Sequence, residues 1–314
     1  TQLIDTLSGN HIWAERFDRD WGQILVLQDE VRAKIVQSLK VKLSVREEQR
    51  LARHPTDNPE AYDLYLRGLQ QESYFTREGN EESRRLFSLA IELDPKFAMA
   101  YGHLALAYSL AQENSWAEGG DAQVEKTLAL ARKSVELDAD LPQARWSLGR
   151  VYARARPPHR DYGRAIEELE RAVRLDPNYA DGYALLANVL STVGRPGEAL
   201  NAIEKAIQIN PHHPFWYLHT LGVSQFLLAR FEIAEKSFSE ASKRNPNVTW
   251  MHAWLLSTYG HLGKRENAAW EVSELEGLNQ PVTLEKLRDL SFVEDTASLK
   301  LFLEGLRKAG VPES

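Results

Sequence analysis

The chain is 314 residues long, 43% hydrophobic and 26% charged, enough for one long or two ordinary domains with a sizeable core. Lys plus Arg number 38 against 45 Asp plus Glu, and the resulting net charge of −7 argues against a general nucleic-acid-binding surface. The absence of cysteine excludes disulfides, thiolate metal sites and cysteine nucleophiles. No secretory signal and no apolar run of about 18 residues stands in the sequence, so no membrane segment is expected and the expected compartment is the cytoplasm.

The chain begins at Thr1 rather than at a methionine, which predicts a piece of a longer protein. In "QLIDTLSGNHIWAERFDRDW", residues 2 to 21, apolar and polar residues alternate on both sides of Ser8-Gly9-Asn10. Ile12, Ala14 and Arg16 are expected on one face, with His11, Trp13, Glu15 and Phe17 on the other, a β-hairpin pattern. Two strands alone are marginal in water, so the hairpin is expected to be the remnant of a larger sheet. Ile24, Leu27, Val31, Ile35 and Leu39 recur at helical spacing and predict an amphipathic helix over residues 22 to 39. "VKL" at 41 to 43 reads as a short strand, and Ser44 with Glu47 as a capping box.

From residue 58 onward the sequence is periodic. Asn58-Pro59 pairs a cap with a first-turn proline. "ELDP", "RLDP", "QINP", "KRNP" and "LNQP" end at Pro95, Pro177, Pro211, Pro246 and Pro281; the last four are 34, 35 and 35 apart. Ala139 in "ELDAD" fills the longer gap, with swollen spacings of 44 and 38 that hold the insertions "ENSWAEGGDA" and "ARPPHRD". Within each period small residues stand where two antiparallel helices must cross closely: Gly149, Ala165, Ala187, Ala199, Gly222 and Ala234. Tyr152, Tyr183, Ile203 and Phe238 are the bulky fillers beside them, and the terminal proline stops the second helix. Ser83 takes the small position in the first copy and Lys126 in the second. "TLEKLRDL" and "ASLKLFLEGLRKAG" read as two helices covering the open end of the stack.

This pattern resembles the tetratricopeptide repeat, in about six copies over residues 58 to 281. The resemblance implies an all-α, right-handed α-solenoid with a short N-terminal β-hairpin remnant. Three parts are expected: 1–57, the end of a TolB-like α/β domain; 58–281, the array; and 282–314, capping helices. Trp13-Ala14-Glu15-Arg16, Gln28-Asp29-Glu30 and the tail "LEGLRKAGVPE" are similar to the C-terminal regions of multidomain bacterial signalling proteins. Upstream, that family commonly carries a class III adenylate or guanylate cyclase domain, and less often a winged-helix DNA-binding domain. The resemblance therefore implies a non-catalytic regulatory half without cofactor, in a cyclase or alternatively in a winged-helix transcriptional regulator.

Candidate chemistry is thin. His212-His213 is expected to be a solvated helix start rather than a metal site. Asp18 with Asp20, and Asp138 with Asp140, read as turn residues, and Gly119-Gly120 lacks the lysine of a phosphate loop. Asn247-Val248-Thr249 matches a glycosylation acceptor that the expected compartment makes irrelevant. The stronger expectation is a peptide- or protein-binding groove, because the resemblance places the first helix of each pair on the concave side. The inward positions are then Met99, Leu106, Trp146, Arg150, Arg154, Asn188, Thr192, Trp216, His219, Val223, Phe226, Trp250, Ser257 and His261. Aromatics beside arginines are the residue types enriched at binding hot spots, and Arg150 and Arg154, four apart, point to one side. The alternative for each tryptophan is packing between neighbouring helices. Arg150 followed by Asn188 resembles the carboxylate clamp of chaperone-binding tetratricopeptide domains without its lysines, which disfavours a free C-terminal tail as ligand. The free edges of the hairpin at residues 2 to 17 offer a homodimer contact as a second partner expectation.

Overall fold

A computed structural model describes residues 1–5, 9–17, 24–39, 54–114, 116 and 120–314. Ser8 of the expected turn, the Asp18 and Asp20 pair, the strand expected at 41 to 43, the Ser44 and Glu47 capping box, and Gly119 lie outside these residues. The chain divides into two compact units, Thr1–Ala139 and Asp140–Ser314.

In the first unit, β1 (Gln2–Ile4) pairs antiparallel with β2 (His11–Ala14), and Gly9 takes the left-handed conformation (φ 71°) that the tight turn requires. Leu3 faces Trp13 while Ile4 faces His11, so the register slips by a bulge. Trp13 and Phe17 lie half-buried on one side with ring centroids 6.0 Å apart, while Ile12 is exposed, in keeping with the expected alternation. The helix α1 (Ile24–Leu39) follows; its Val31 and Ile35 are half-buried, whereas Leu39, expected on the apolar stripe, is exposed. Gln28 Nε2 on α1 donates to the Tyr62 hydroxyl at 3.0 Å, tying it to the first repeat.

Two helical hairpins complete this unit: α2 (Pro59–Ser73) with α3 (Arg77–Leu93), and α4 (Ala98–Glu113) with α5 (Asp121–Leu137). The Asn58 side chain accepts from the Glu60 and Ala61 amides, both at 3.0 Å, so cap and first-turn proline act together as expected. Tyr65, Phe87 and Phe97 form the core; a Cβ on Gly68 would meet the Phe87 ring at 2.5 Å, so only glycine lets α2 and α3 close. Lys126 does not occupy the small position of α5. It is exposed, with its ammonium 4.8 Å from the Tyr108 ring centre, and Thr127 one residue on is buried in its place. The cause is register: Thr127, not Lys126, lies as far before Ala139 as Ala165 lies before Pro177.

The second unit continues with four more hairpins. They are α6 (Pro142–Arg154) with α7 (Tyr162–Leu175), α8 (Ala180–Thr192) with α9 (Pro196–Ile209), α10 (Phe215–Leu227) with α11 (Phe231–Arg244), and α12 (Thr249–Leu262) with α13 (Arg265–Gly277). Ala165, Ala187, Ala199 and Ala234 are fully buried, as the close-crossing argument requires. A Cβ on Gly149 would meet Leu169 at 2.8 Å, and one on Gly222 the Phe238 ring at 2.6 Å. Each second helix of the clearest copies ends on an Asp or Asn just before the proline. Asp176 then accepts from the Asn178 amide at 3.0 Å, turning the chain toward the next helix. Gly194 and Gly263 adopt positive φ in the turns inside the hairpins; Ala229 does the same at φ 57° without glycine's freedom.

His213 departs from the expectation of a solvated position: it is buried and stacks on Tyr217 with centroids 5.6 Å apart, while His212 is exposed. The last two helices, α14 (Leu284–Asp289) and α15 (Thr296–Lys308), bury Leu284, Leu287, Phe302 and Leu306 with α12. The α12–α15 crossing is the tightest of all, because a Cβ on Gly260 would overlap the Gly305 carbonyl. Among the described residues no helix is long and apolar enough to cross a membrane.

Two substitutions test the packing. Ala199→Trp should overpack the α8–α9 crossing and lower the unfolding free energy by roughly 1–3 kcal/mol in urea titrations. Ala229→Gly should raise it by roughly 0.5–1 kcal/mol, because the left-handed turn no longer carries a Cβ.

Candidate functional site

The expected inward row lies on the first helices of the second unit, apart from Met99 and Leu106 in the first unit. There, Leu106 is buried and Met99 half-buried. The row itself separates into three groups.

One group remains accessible near the N-terminal ends of its helices. Trp146 is half-buried; its Nε1 donates to the Asp181 carbonyl at 3.2 Å and its ring meets Tyr179 edge-on at 6.4 Å. Arg150, one turn further along α6, is half-buried. Trp216 meets Tyr217 edge-on at 4.4 Å, and Trp250 stacks with Phe215 at 6.2 Å. Each tryptophan therefore packs against neighbours, as the alternative reading had it, and still leaves part of a ring in solvent.

A second group is core rather than lining. Phe226 is fully buried against Trp254 (5.1 Å), Phe231 and His261. His219 is buried between Trp250 (4.1 Å), Phe238 (5.7 Å) and Trp254 (6.4 Å), and Val223 is buried beside them. Burial, and secondarily the Arg154 charge, push the His219 pKa down to about 3. These positions were misread because helical spacing places a residue on a face without showing that the face is shared with the next repeat.

The third group is covered by the chain's own C-terminal segment. Ser257 Oγ donates to the Phe302 carbonyl at 2.7 Å, and His261 Nε2 lies 2.9 Å from the Leu301 carbonyl while its ring stacks on Phe231 at 4.2 Å. Burial, opposed by that carbonyl, lowers the His261 pKa. Arg154 Nη2 donates to Asn188 Oδ1 at 2.8 Å, and its guanidinium carbon sits 5.7 Å from the Phe292 ring centre. Thr192 is buried, and its carbonyl accepts from the Glu294 and Asp295 amides at 3.0 and 3.2 Å. The C-terminal helices thus pack on α12, and the segment before α15 also reaches back to the ends of α6 and α8.

Two further residues at this edge were missed by sequence reasoning. Arg160 bonds Glu294 Oε1 at 2.5 Å and is held in turn by the Ala155 carbonyl at 3.0 Å; Tyr162 donates to the same carboxylate at 3.4 Å. No local signal marks them, because the partner lies 134 positions away. Among the described residues no group of three or more His, Cys, Asp or Glu side chains is placed to hold a metal ion.

Away from the groove, His252 and Glu271 form a buried pair at 2.7 Å, with the other ring nitrogen of His252 2.7 Å from the Pro246 carbonyl. Burial opposes the charged ring, but the Glu271 and Pro246 hydrogen bonds outweigh it and raise the His252 pKa.

Antiparallel helical pairs repeating every 34 or 35 residues, with small residues at each crossing, define an α-solenoid of tetratricopeptide type, a scaffold fold without a catalytic domain among the described residues. Residues 159–220, from the turn before α7 into α10, match the tetratricopeptide repeat family model. Among solved structures, pilF of Pseudomonas aeruginosa aligns with a TM-score of 0.51 at 18% identity, covering 70% of this chain and 92% of that one, a likeness of fold alone. A Rhizobium meliloti protein named "Putative adenylate cyclase 3" is 35% identical over 147 residues, 47% of this chain and 25% of that protein. Human tetratricopeptide repeat protein 13 is 30% identical over 104 residues, 33% of this chain and 12% of that protein. The chain spans a quarter or less of the length of these two relatives.

Two of the buried histidines, His219 and His252, respond to pH in opposite senses. The folded pKa of His219 is depressed, so its contribution is complete above the ordinary histidine value of about 6.5 and is lost as the pH falls toward the folded value. The folded pKa of His252 is raised, so its contribution is complete below about 6.5 and is lost as the pH rises through the raised value. Urea stability should therefore lose part of its acid-side decline in His219→Phe and part of its alkaline-side decline in His252→Gln.

Proposed function

We propose that the accessible part of the inner row, Trp146, Arg150, Trp216 and Trp250, binds a protein or peptide ligand, within a tetratricopeptide array at 58–281 that is flanked by 1–57 and 282–314. The observation that carries this reading is the set of half-buried indole rings and one arginine presented by first helices of the second unit. Their neighbours hold them in place, so little side-chain freedom is lost on binding. Asn188 supports the row indirectly by orienting Arg154.

The likeness to the protein named an adenylate cyclase extends the reading. The chain is then the regulatory C-terminal part of a bacterial signalling protein that carries a class III nucleotide cyclase, with the hairpin and α1 ending a TolB-like α/β domain. In that setting the ligand, not chemistry within this chain, supplies the signal.

Peptides selected from a displayed library against the full chain provide the test. Trp146→Ala, Arg150→Ala and Trp216→Ala should each weaken a selected peptide by about 1–3 kcal/mol, roughly five- to 150-fold, while thermal unfolding stays cooperative. Binding unchanged across all three would remove the groove assignment.

A second reading, self-association through the hairpin, is favoured by the exposure of Ile4 and Ile12 on a two-stranded sheet. Light scattering should then show a dimer that Ile12→Lys converts to monomer, whereas a monomer in both cases eliminates this reading.

A further inference from the structure

The segment 291–295 joins two anchored helices. Ser291 is buried, Val293 packs beside the cluster of Trp254 and Phe302, and Asp295 caps α15 by accepting from the Ser298 amide at 2.8 Å, while Phe292 and Glu294 are exposed. Leu284 and Leu287 of α14, and Phe302 and Leu306 of α15, are buried. Between them Phe292 is 48% exposed and sits at φ 52°, a left-handed conformation that an aromatic side chain rarely adopts. Its ring covers Arg154, the next residue but one reaches Arg160 and Tyr162, and the Glu294 and Asp295 amides bond the Thr192 carbonyl. A Cβ on Gly194 would meet Asp295 Cγ at 2.6 Å, so glycine is what lets this segment lie against the α8–α9 turn.

These contacts are those of a bound peptide: main-chain hydrogen bonds for register, an aromatic over a guanidinium, and an acidic side chain on a second one. The Arg160–Glu294 pair is partly solvent-exposed, so its attraction is screened. The chain's backbone strain at Phe292 further favours letting go.

We propose that residues 292–295 are an internal occupant of a peptide site formed by Arg154, Arg160, Tyr162 and the Thr192 carbonyl. The external ligand is an acidic peptide with an aromatic residue two positions before a glutamate, which displaces this segment while α14 and α15 stay docked. The inference rests on the groove reading above and names the ligand chemistry at its covered edge. Charge complementarity carries it: two arginines meet an aromatic-x-Glu-Asp sequence that the chain itself supplies. Tethering gives the internal copy a high effective concentration, so the intact chain holds a competing peptide weakly.

The test uses the full chain and a fluorescent synthetic peptide with the sequence of residues 288 to 298, followed by anisotropy. Phe292→Ala combined with Glu294→Ala, both at partly exposed positions, should free the site and tighten peptide binding about tenfold or more over the unsubstituted chain. Adding Arg160→Ala should reverse that gain, and a peptide carrying the same two alanines should not bind. Equal affinity for the freed and unsubstituted chains, or no effect of Arg160→Ala, overturns the proposal. If library-selected peptides still depend on Trp216 in that case, the groove reading survives and only the internal occupant fails. If neither peptide type binds the freed chain, both readings fail. Hydrogen exchange gives a check independent of any ligand. The Glu294 and Asp295 amides should exchange at least about tenfold faster than those of Phe302 and Leu306, and equal protection also overturns the proposal.

Discussion

The close crossing of two helices within each hairpin is the constraint on which the rest depends. At Gly149, Gly222 and Gly68 a single added carbon would strike Leu169, Phe238 or Phe87, so neighbouring helices approach as near as backbone and ring allow. Fully burying a side chain such as Phe238 stabilises by about 1.5–3 kcal/mol, and Phe87, Leu169 and Ile203 are the equally buried fillers of three other copies. In the second unit, successive first helices therefore meet through their side chains: Trp146 reaches the Asp181 carbonyl, Arg154 reaches Asn188, and His219 packs on Trp250.

That row of side chains is uneven in its exposure. Toward the N-terminal ends of α6, α10 and α12 it offers rings fixed by edge-to-face contacts. Toward their C-terminal ends it is covered by Phe292, Glu294 and α15. The glycine pair Gly260 and Gly305 brings α15 against α12 so closely that α12 is buried along most of its length, from Met251 to Gly260. A helix at the end of a repeat array normally has an apolar side with no successor, and here the chain supplies its own cover.

Much of this could be read before any coordinates. The hairpin period, the terminal prolines, the Asn58 cap and the identity of the small positions all follow from contacts within some 35 residues, where helical spacing and proline chemistry are legible. Trp146, Trp216, Trp250 and Arg150, expected on the inner row, keep part of their surface in solvent. His219 and Phe226 do not: their spacing is that of groove residues, but the next repeat closes over them. Lys126 is a different case: an inserted loop upstream obscures the count, and counting back from Ala139 instead already gives Thr127, which burial bears out.

The amino-acid order alone thus settles a stack of paired helices, because each pairing is local and repeats its instructions. Which parts of the inner face stay open was decided only in three dimensions. Arg160 meets a glutamate 134 residues away, and two glycines from distant helices let α15 settle on α12. Contacts of that separation leave no periodic trace in the sequence; they depend on where the completed stack places the two ends of the second unit.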